Sequence, residues 1–238
     1  MPTPSIFIVT PTYNERANLE TLVNKIFNLG IAGLTLVIVD DNSPDGTGAL
    51  AEELAKKYPI QVIHRPQKMG LGTAYVEGFK VVLRQAQNKL AYIIQLDADL
   101  SHDPAIIPEM LSKIKNCDVV LGSRYIKGGR IENWDFFRKL ISRFGNIYAR
   151  FILGLPYRDL TGGFKCYRRK VLENIYLDSL SSVGYNFQIE TTYRAHKKGY
   201  KICEISISFT ERKTGASKFN LGIILESFWK VLLLRFHK

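Results

Sequence analysis

The sequence predicts an α/β fold in which helices cover both faces of a mostly parallel central sheet. Short apolar runs rich in β-branched residues alternate with amphipathic helical patterns through the first half of the chain. These runs are almost continuously apolar, which is typical of parallel strands buried on both faces. Gly, Pro, Asn and Asp residues separate the runs from the helical patterns, and these residue types favour turns.

Five strands and four helices are predicted in the first half of the chain, and they alternate. Apolar residues recur at helical spacing in each helix, and Gly30 and Pro59 follow two of the helices as expected terminators. Asp103 and Pro104 are suited to the N-cap and the first position of the last of these helices. In order, the segments are IFIVTPTY (strand), RANLETLVNKIFNLG (helix), LTLVIVDD (strand), GTGALAEELAKKY (helix), IQVIHR (strand), GTAYVEGFKVVLRQA (helix), LAYIIQLDAD (strand), DPAIIPEMLSKIK (helix) and CDVVLGSRY (strand).

The second half is less regular, but it shows no linker or internal repeat, so a single domain over residues 1–238 is expected. Amphipathic helices are predicted at about 134–153 and about 219–237. Between them lie a glycine loop that becomes a helix (LTGGFKCYRRKVLENI), a helix (FQIETTYRAHKKG) and an alternating strand (KICEISISFTER). No segment has the ~20 continuous apolar residues of a spanning helix, and the first apolar run is too short for a signal peptide.

The chain is strongly basic, with 33 Lys and Arg residues against 22 Asp and Glu residues and a net charge of +11. This excess favours anionic partners such as nucleotides, nucleic acids or acidic membrane surfaces, although a basic surface can also serve solubility alone. Cys117, Cys166 and Cys203 form no Cys-x-x-Cys or metal-binding pattern. Three free thiols in a reducing, cytoplasmic compartment are therefore expected.

Two carboxylates, Asp97 and Asp99, directly follow the apolar run of the fourth predicted strand. A turn at the end of a strand can aim both side chains at one point, where like charges repel unless a cation lies between them. Two hard oxygen ligands with room for others suit Mg²⁺ or Mn²⁺, which also binds substrate phosphates. The alternative is that such residues only cap a turn or helix, and this is the interpretation of Asp103.

Two further polar loops, TPTYNE and VDDNSPDGT, follow the first and second strands and should reach the same edge of the sheet. Asp45 is interpreted as a turn residue, whereas Asp40 and Asp41 end a buried strand and could accept hydrogen bonds from a nucleobase or ribose. Tyr13 could stack on a base and Glu15 could accept a ribose hydroxyl, with capping or packing as the alternative for each.

Two common nucleotide-binding motifs are absent from the sequence. KMGLGTAY follows a strand and opens a helix, but it lacks the Gly-x-Gly-x-x-Gly spacing of dinucleotide-binding folds. There is also no Gly-x-x-x-x-Gly-Lys-Ser/Thr loop, which argues against an ATPase. The segment is interpreted as a tight turn.

Taken together, the motifs of this chain resemble those of dolichol-phosphate mannosyltransferases, which are family 2 glycosyltransferases of the GT-A fold. The resemblance extends from about Ile6 to Phe219, and it implies a metal-dependent, inverting transfer of mannose from GDP-mannose to a polyprenyl monophosphate such as dolichyl phosphate. The motifs, in order, are PTYNE, VDDNSPDGT, GLGTAY, LDADLSHDP, GSRY, DLTGGFKCYRR and RKTGASKF.

The resemblance also implies which residues bind the donor. Its nucleoside would be held by Pro11, Tyr13, Glu15, Val39 and Asp41. Its pyrophosphate would be held by Asp97, Ala98 and Asp99, with Mg²⁺ or Mn²⁺ bound to Asp97 and Asp99. The cationic residues expected to contact the donor are Arg124, Arg212 and Lys218.

The acceptor phosphate would be positioned by Arg124, Arg138 and Ser142, and Asp99 would complete the catalytic set. Arg138 and Ser142 are four residues apart and so share one face of a helix. That helix interleaves aromatic and basic residues, which suits a peripheral site on the cytoplasmic face of a membrane, although most such helices only line a core.

Two departures from the family pattern matter. Some members carry spanning helices after the catalytic domain, so this chain is expected to reach its lipid peripherally or through a membrane-anchored partner subunit. Ser101 stands where some relatives have Gln near the metal, so no ligand role is carried over to it.

The alternative functions are the same reaction with UDP-glucose or another nucleotide sugar, and a non-catalytic protein that binds membrane surfaces or nucleic acid. Because paired carboxylates do not suit a site for polyanions, no nucleic-acid partner is expected.

Overall fold

The computed structural model describes residues 4–87, 89–180, 184, 186–211 and 221–236, with side chains described from residue 227 onwards in the last helix. The strands are β1 (Ser5–Thr12), β2 (Leu34–Asp40), β3 (Ile60–His64), β4 (Ala91–Gln95), β5 (Val119–Ser123), β6 (Arg130–Glu132), β7 (Lys165–Arg168), β8 (Ile202–Ser206) and β9 (Ser208–Thr210). The helices are α1 (Arg16–Phe27), α2 (Thr47–Ala55), α3 (Leu71–Gln85), α4 (Ile107–Lys113), α5 (Phe136–Leu153), α6 (Arg169–Asn174), α7 (Asn186–Lys197) and α8 (Leu221–Phe236).

Seven of the described strands form one sheet in the order β3-β2-β1-β4-β7-β5-β8. The neighbouring pairs β1–β2, β2–β3, β1–β4 and β5–β8 are parallel, and only β7, inserted between β4 and β5, runs antiparallel to its neighbours. The predicted α/β class with a mostly parallel sheet is therefore confirmed.

Helices cover both faces of the sheet, so two apolar layers form the core. Buried residues of α1, α2 and α4 pack on one face, and those of α3, α6 and α7 pack on the other. Helix α3 approaches β1 closely at Gly78, where an added Cβ would lie 2.4 Å from Cγ1 of Val9. Any larger residue at Gly78 would push α3 away from the sheet.

Helices α5 and α8 form a third apolar cluster with part of α7, beside the main sheet. Val231 and Leu234 of α8 are buried against α5, and the Tyr148 hydroxyl donates to the Phe228 carbonyl over 3.0 Å. Within the described residues, no helix is long and apolar enough to cross a bilayer.

The structure corrects the secondary structure expected in the second half. LTGGFKCYRRKVLENI contains β7 as well as a loop and α6, and KICEISISFTER is divided into β8 and β9. The break falls at Ile207, where the chain leaves the main sheet and β9 pairs with β6. Strand β7 was missed because it carries Lys165 and Arg168, and a charged residue inside a buried strand imitates a polar loop.

The expectation of three free thiols is wrong for two of the cysteines. Cys117, just before β5, and Cys203, in β8, form a disulfide whose Cα atoms are 6.2 Å apart. Their separation of 86 residues hides this pairing in the sequence, whereas the parallel alignment of β5 and β8 makes it possible. Cys166 is a buried thiol, and burial raises its pKa.

Candidate active site

The candidate site lies at the edge of the sheet where β1, β2, β4 and β5 end and β7 begins. Because these strands lie side by side, the loops that follow them converge, as the sequence predicted. The Gly162–Gly163 turn before β7 also reaches this edge, since a Cβ added at Gly163 would lie 2.9 Å from Oδ2 of Asp97.

Two of the acidic residues hold the loops of this edge together. Oδ1 of Asp40 accepts hydrogen bonds from the hydroxyls of Thr12 (2.9 Å) and Ser43 (2.6 Å), which joins the ends of β1 and β2. The Asp45 carboxylate accepts from the backbone N–H groups of Thr47 (3.0 Å) and Arg16 (3.2 Å). Asp45 is therefore the turn residue that the sequence indicated, and Asp40 has a structural role beside it.

Asp41 is buried and forms an ion pair that the sequence did not reveal. Its Oδ1 accepts from Nη1 of Arg65 over 2.5 Å, and its Oδ2 accepts from the backbone N–H of Met69 over 3.3 Å. Arg65 is buried as well and also lies 3.1 Å from a carboxylate oxygen of Glu77. The one available signal was position, since Arg65 follows β3 just as Asp41 follows β2.

The other residues expected to hold the nucleoside differ in how far they reach the edge. Tyr13 is half-buried, and the Lys68 ammonium lies 3.9 Å from the centre of its ring, so a flat surface and a cation are adjacent. Pro11 and Glu15 are also half-buried, and Glu15 accepts a hydrogen bond from the side chain of Asn18. Their exposed atoms are accessible to a ligand.

Val39 and Ala98, which the resemblance assigns to donor binding, lie in the interior of the protein. Val39 is fully buried and Ala98 is 3% exposed, and both pack into the apolar core. A donor contact at either position would therefore involve the backbone.

Asp97 is held by a buried tyrosine. The Tyr75 hydroxyl donates to Oδ1 of Asp97 over 2.6 Å, and its ring is stacked on Phe187 with centroids 5.8 Å apart. Burial and the neighbouring Asp97 charge raise the pKa of Tyr75 well above its ordinary value, so the hydroxyl stays a donor. Tyr75 belongs to the GLGTAY motif, which the sequence interpretation treated only as a turn.

Asp99 is held by its own loop. The backbone N–H and hydroxyl of Ser101 donate to Oδ1 of Asp99 over 3.1 and 2.6 Å. Leu100 between them has φ +59°, a left-handed conformation that costs a non-glycine residue about 1 kcal/mol or more. The strained turn thus lets Ser101 orient Asp99, and Oδ2 of Asp99 makes no hydrogen bond within the described residues.

The two half-exposed carboxylates fit a divalent cation that takes oxygen ligands. Within the described residues, no group of three or more His, Cys, Asp or Glu side chains is placed to hold a metal. A cation between Asp97 and Asp99 would therefore need further ligands from water and from a bound phosphate, which is the usual arrangement for Mg²⁺.

If Asp97 binds a divalent cation, Tyr75→Phe should weaken activation by Mn²⁺ by about 10- to 100-fold, because a residue that orients the metal ligand is lost. Titrating activity with Mn²⁺ would measure this. The matched control is Tyr58→Phe, which removes a hydroxyl that donates to Asn24, near the C-terminal end of α1. An unchanged Mn²⁺ requirement in Tyr75→Phe would show that Asp97 does not depend on this hydrogen bond.

Arg124 follows β5 and makes a buried ion pair with Asp159. Its Nε and Nη2 atoms donate to the two oxygens of Asp159 over 2.7 and 2.8 Å, and Nη2 also donates to the Thr161 hydroxyl. Burial acts to raise the pKa of Asp159, but the Arg124 charge and hydrogen bonds outweigh it and lower this pKa. Nη1 of Arg124 makes no hydrogen bond within the described residues, so this nitrogen is available to a ligand.

Arg138 and Ser142 lie near Arg124, and their role in binding an acceptor phosphate stays a prediction. The guanidinium carbons of Arg138 and Arg124 are 4.3 and 5.8 Å from the centre of the Trp134 ring. Ser142 accepts a hydrogen bond of 2.7 Å from the hydroxyl of Tyr125. Arg138 also forms an ion pair with Glu211, a residue that the sequence interpretation did not single out.

Arg212 and Lys218, expected to contact the donor, lie outside the residues that the structure describes.

His102 connects the loop that carries Asp97 and Asp99 to β9. It forms an isolated antiparallel bridge with Phe209, whose ring centre is 5.1 Å from that of His102, and the Thr210 N–H donates to the Ser101 carbonyl. Burial lowers the pKa of His102 to about 4, so the ring is neutral at pH 7. The sequence offered no signal for this contact, because β9 was predicted as part of a longer strand.

A buried lysine lies beneath the site. Nζ of Lys165, in β7, donates to the Gln188 carbonyl and to the hydroxyls of Thr192 (2.9 Å) and Thr191 (3.3 Å). Burial lowers its pKa from 10.5 to about 7. Hydrogen bonds link Gln188 to Gln95 of β4, so this network joins the strands on which the site is built.

The pH dependence of stability should reveal Lys165. Between pH 7 and about 10 the unfolded chain binds a proton here that the folded chain lacks, so this group increases stability as the pH rises. As the pH rises, the unfolding free energy of the wild type minus that of Lys165→Met should increase by up to about 1.4 kcal/mol per pH unit. Urea unfolding from pH 7 to 9 would measure it, with the exposed Lys113→Met as the control, and parallel curves for wild type and Lys165→Met would contradict the burial effect.

Residues 7–176 match the sequence profile of the family described as Glycosyl transferase family 2. The chain belongs to this family. It is 42% identical over 233 residues to polyprenol monophosphomannose synthase of Mycolicibacterium smegmatis, covering 97% of this chain and 86% of the relative. It is 39% identical over 223 residues to undecaprenyl-phosphate mannosyltransferase of Micrococcus luteus, covering 93% and 90% of the two chains.

A third relative is the dolichol-phosphate mannosyltransferase of Pyrococcus furiosus, 39% identical over 228 residues. The match covers 93% of this chain but only 61% of that longer protein.

Two solved structures share the fold at low sequence identity. Glucosyl-3-phosphoglycerate synthase of Mycobacterium tuberculosis, in complex with Mn²⁺, UDP-glucose and phosphoglyceric acid, superposes with a TM-score of 0.68 at 19% identity, over 98% of this chain and 79% of that one. A mannosyltransferase of Pyrobaculum calidifontis in complex with GDP-mannose and Mn²⁺ gives 0.61 at 16% identity, over 98% and 63%. The GT-A fold and the membership of the glycosyltransferases, both expected from the sequence, are thereby confirmed.

Proposed function

We propose that the protein transfers mannose from GDP-mannose to a polyprenyl (dolichyl-type) monophosphate. The observation that carries the proposal is the grouping of two half-exposed carboxylates, Asp97 and Asp99, with two guanidinium groups around Trp134 at one edge of the sheet. The names of the three relatives support the sugar and the lipid class.

The donor would bind between the loops that follow β1, β2 and β4. Asp97 and Asp99 would hold Mg²⁺ or Mn²⁺, which supplies positive charge for the leaving nucleoside diphosphate. Tyr13 would stack on the base, and Asp41, with Arg65 behind it, would accept from the nucleoside. Arg212 and Lys218 remain proposed phosphate contacts.

The acceptor would be held by Arg138, Ser142 and Nη1 of Arg124. A phosphate monoester has its second pKa near ~6, so at neutral pH it is already a nucleophile and needs no carboxylate base. The protein's task is therefore to position it. A phosphate oxygen attacks the anomeric carbon as the bond to the diphosphate breaks, and the configuration inverts.

The lipid would be reached from a membrane surface. The exposed side of α5 presents Phe136, Phe137, Leu140 and Phe144, each more than half exposed. We therefore propose that the protein attaches peripherally to a membrane, directly or through a membrane-anchored partner subunit. The Cys117–Cys203 disulfide does not support the cytoplasmic face expected from the sequence, because stable disulfides are rare in reducing compartments.

The direct test is to incubate the protein with a panel of labelled nucleotide sugars, Mn²⁺ and a short polyprenyl phosphate. We expect lipid product from GDP-mannose and none when EDTA replaces the metal. Product from a UDP-sugar alone would overturn the mannose assignment, and no product from any donor would contradict the enzymatic function.

Arg138→Ala should raise the KM for the acceptor by about 10- to 100-fold, because a hydrogen bond to a charged group contributes roughly 1.5–3 kcal/mol. GDP affinity, measured by calorimetry, should stay unchanged. Equal losses in acceptor use and GDP affinity would contradict the assigned role of Arg138.

A further inference from the structure

A cationic cavity of about 340 Å³ lies beside α5, and Arg124, one of the residues proposed to bind the acceptor phosphate, forms part of its wall. Its walls come from the segment after β5, from the middle and end of α5, and from Arg158. Three arginines line it in addition to Arg124, namely Arg143, Arg150 and Arg158, and no acidic side chain does. The cavity therefore concentrates positive charge.

These three arginines have no anionic partner within the described part of the chain. Arg124 is paired with Asp159, but no ion pair or side-chain hydrogen bond is formed by Arg143, Arg150 or Arg158. Nε of Arg150 is buried without a hydrogen-bond partner, and leaving such a donor unsatisfied costs about 1–3 kcal/mol. A bound anion would satisfy it.

The Glu204 carboxylate, which binds the backbone of Arg158, does not neutralise the cavity. Glu204 accepts hydrogen bonds from the backbone N–H groups of Arg158 and Asp159, at 3.0 and 3.1 Å, and makes none with the Arg158 guanidinium. Arg158 is exposed to solvent and lines the cavity. An anion entering from solvent would meet three guanidinium groups.

The cavity opens beside a stripe of exposed apolar side chains on the same helix. Leu140, Phe144, Ile147 and Phe151 are 53, 59, 52 and 83% exposed, and their spacing of four, three and four residues places them on one helix face about 17 Å long. Ile147 belongs both to this stripe and to the cavity wall. Phe228 of α8 packs against Phe144 and Tyr148 of α5, and the next residue, Trp229, is exposed.

From this arrangement we infer that the cavity binds the phosphate of an anionic phospholipid headgroup while the apolar stripe enters the hydrocarbon of the same bilayer. Apolar residues flanked by arginines are typical of helices that lie in the interface of acidic membranes. The inference rests on the proposed function only for the membrane location.

The part of the cavity formed by Arg150 is separate from Arg138 of the acceptor phosphate site, and Arg124 borders both sites. Arg150 is twelve residues beyond Arg138, which is about 18 Å along the helix, and one phosphate group cannot bridge that distance. Arg138 also lies over the ring of Trp134, and neither of these two residues lines the cavity. The headgroup would therefore be a second lipid, held while the acceptor reacts.

The test is the binding of the full chain to vesicles of phosphatidylcholine, with or without about one third phosphatidylglycerol. Arg150→Gln/Arg158→Gln should lose at least about tenfold of its partition onto the acidic vesicles, since each arginine at such a surface contributes about 1 kcal/mol. Partition onto phosphatidylcholine should not change. The control, Arg84→Gln/Lys113→Gln, removes two exposed charges elsewhere and should bind acidic vesicles within about twofold of the wild type.

Three results would overturn the inference. One is an equal loss of binding in the control, which would indicate diffuse charge attraction. Another is a double variant that binds acidic vesicles as the wild type does but is no longer stabilised against heat by inorganic phosphate. This result would indicate a site for free phosphate. The third is a KM for a short acceptor, assayed without vesicles, that is higher in Arg150→Gln/Arg158→Gln than in the wild type. This result would assign the cavity to the acceptor. Vesicle binding needs no catalysis. If the protein showed no transferase activity, the proposed function would be disproved, but vesicle binding would still test whether the cavity binds a phospholipid headgroup.

Discussion

Asp99→Ala should reduce mannosyl transfer at least about 100-fold while leaving the protein folded, because it removes charge stabilisation where the leaving diphosphate develops charge. The expected structural cost is small. Asp99 is half-exposed, and its hydrogen bonds, both to Oδ1, come from Ser101 in the same loop. Initial rates with saturating Mn²⁺ and GDP-mannose, together with a thermal unfolding curve, would measure both effects.

The matched control for this change lies four residues away. Asp103→Ala also removes a carboxylate from the loop, but Asp103 caps the following turn by accepting from the Ala105 N–H over 3.2 Å. It should cost about 1 kcal/mol of stability with no loss of transfer at saturation. Transfer retained by Asp99→Ala, or lost equally in Asp103→Ala, would remove Asp99 from the metal site.

Asp159→Ala should destabilise the protein by about 3–5 kcal/mol, because it leaves the Arg124 guanidinium buried without its counter-charge. Gly162 N–H, which donates to Oδ1 of Asp159, also loses its partner. Urea unfolding would measure the loss. Asp178→Ala provides the contrast, because its ion pair with Lys80 is exposed, and such pairs contribute little.

A double variant separates stability from acceptor binding at this pair. Arg124→Met/Asp159→Leu replaces the buried charges with apolar groups and should recover most of the stability lost in Asp159→Ala. Its KM for the acceptor should nevertheless be higher than that of the wild type, because the double variant lacks Nη1 of Arg124. A double variant with a normal acceptor KM would show that Arg124 only supports the fold.

Much of the site could be predicted because strand ends are readable in sequence. Asp97, Asp99 and Asp41 each follow an apolar run, and parallel strands bring such positions to one edge. The resemblance added Arg138 and Ser142, which the structure places near Arg124. These predictions needed only local patterns and their order along the chain.

The partners of these residues could not be predicted, because long-range contacts create them. Asp159 is 35 residues from Arg124, and Tyr75 is 22 residues from Asp97. In sequence, each resembles an ordinary polar or core residue. Lys165 was missed for the opposite reason, since a lysine is rarely buried and its strand was interpreted as a loop.

The antiparallel strand β7 has a consequence for synthesis of the protein. It alone separates β4 from β5, so the sheet made by the first 95 residues cannot join β5 and β8 until β7 has left the ribosome. The nascent chain must therefore hold β5 unpaired on both sides, and β4 unpaired on one side, while more than forty further residues are translated. Exposed strand edges of this kind recruit other chains, so chaperone dependence should be concentrated in that interval.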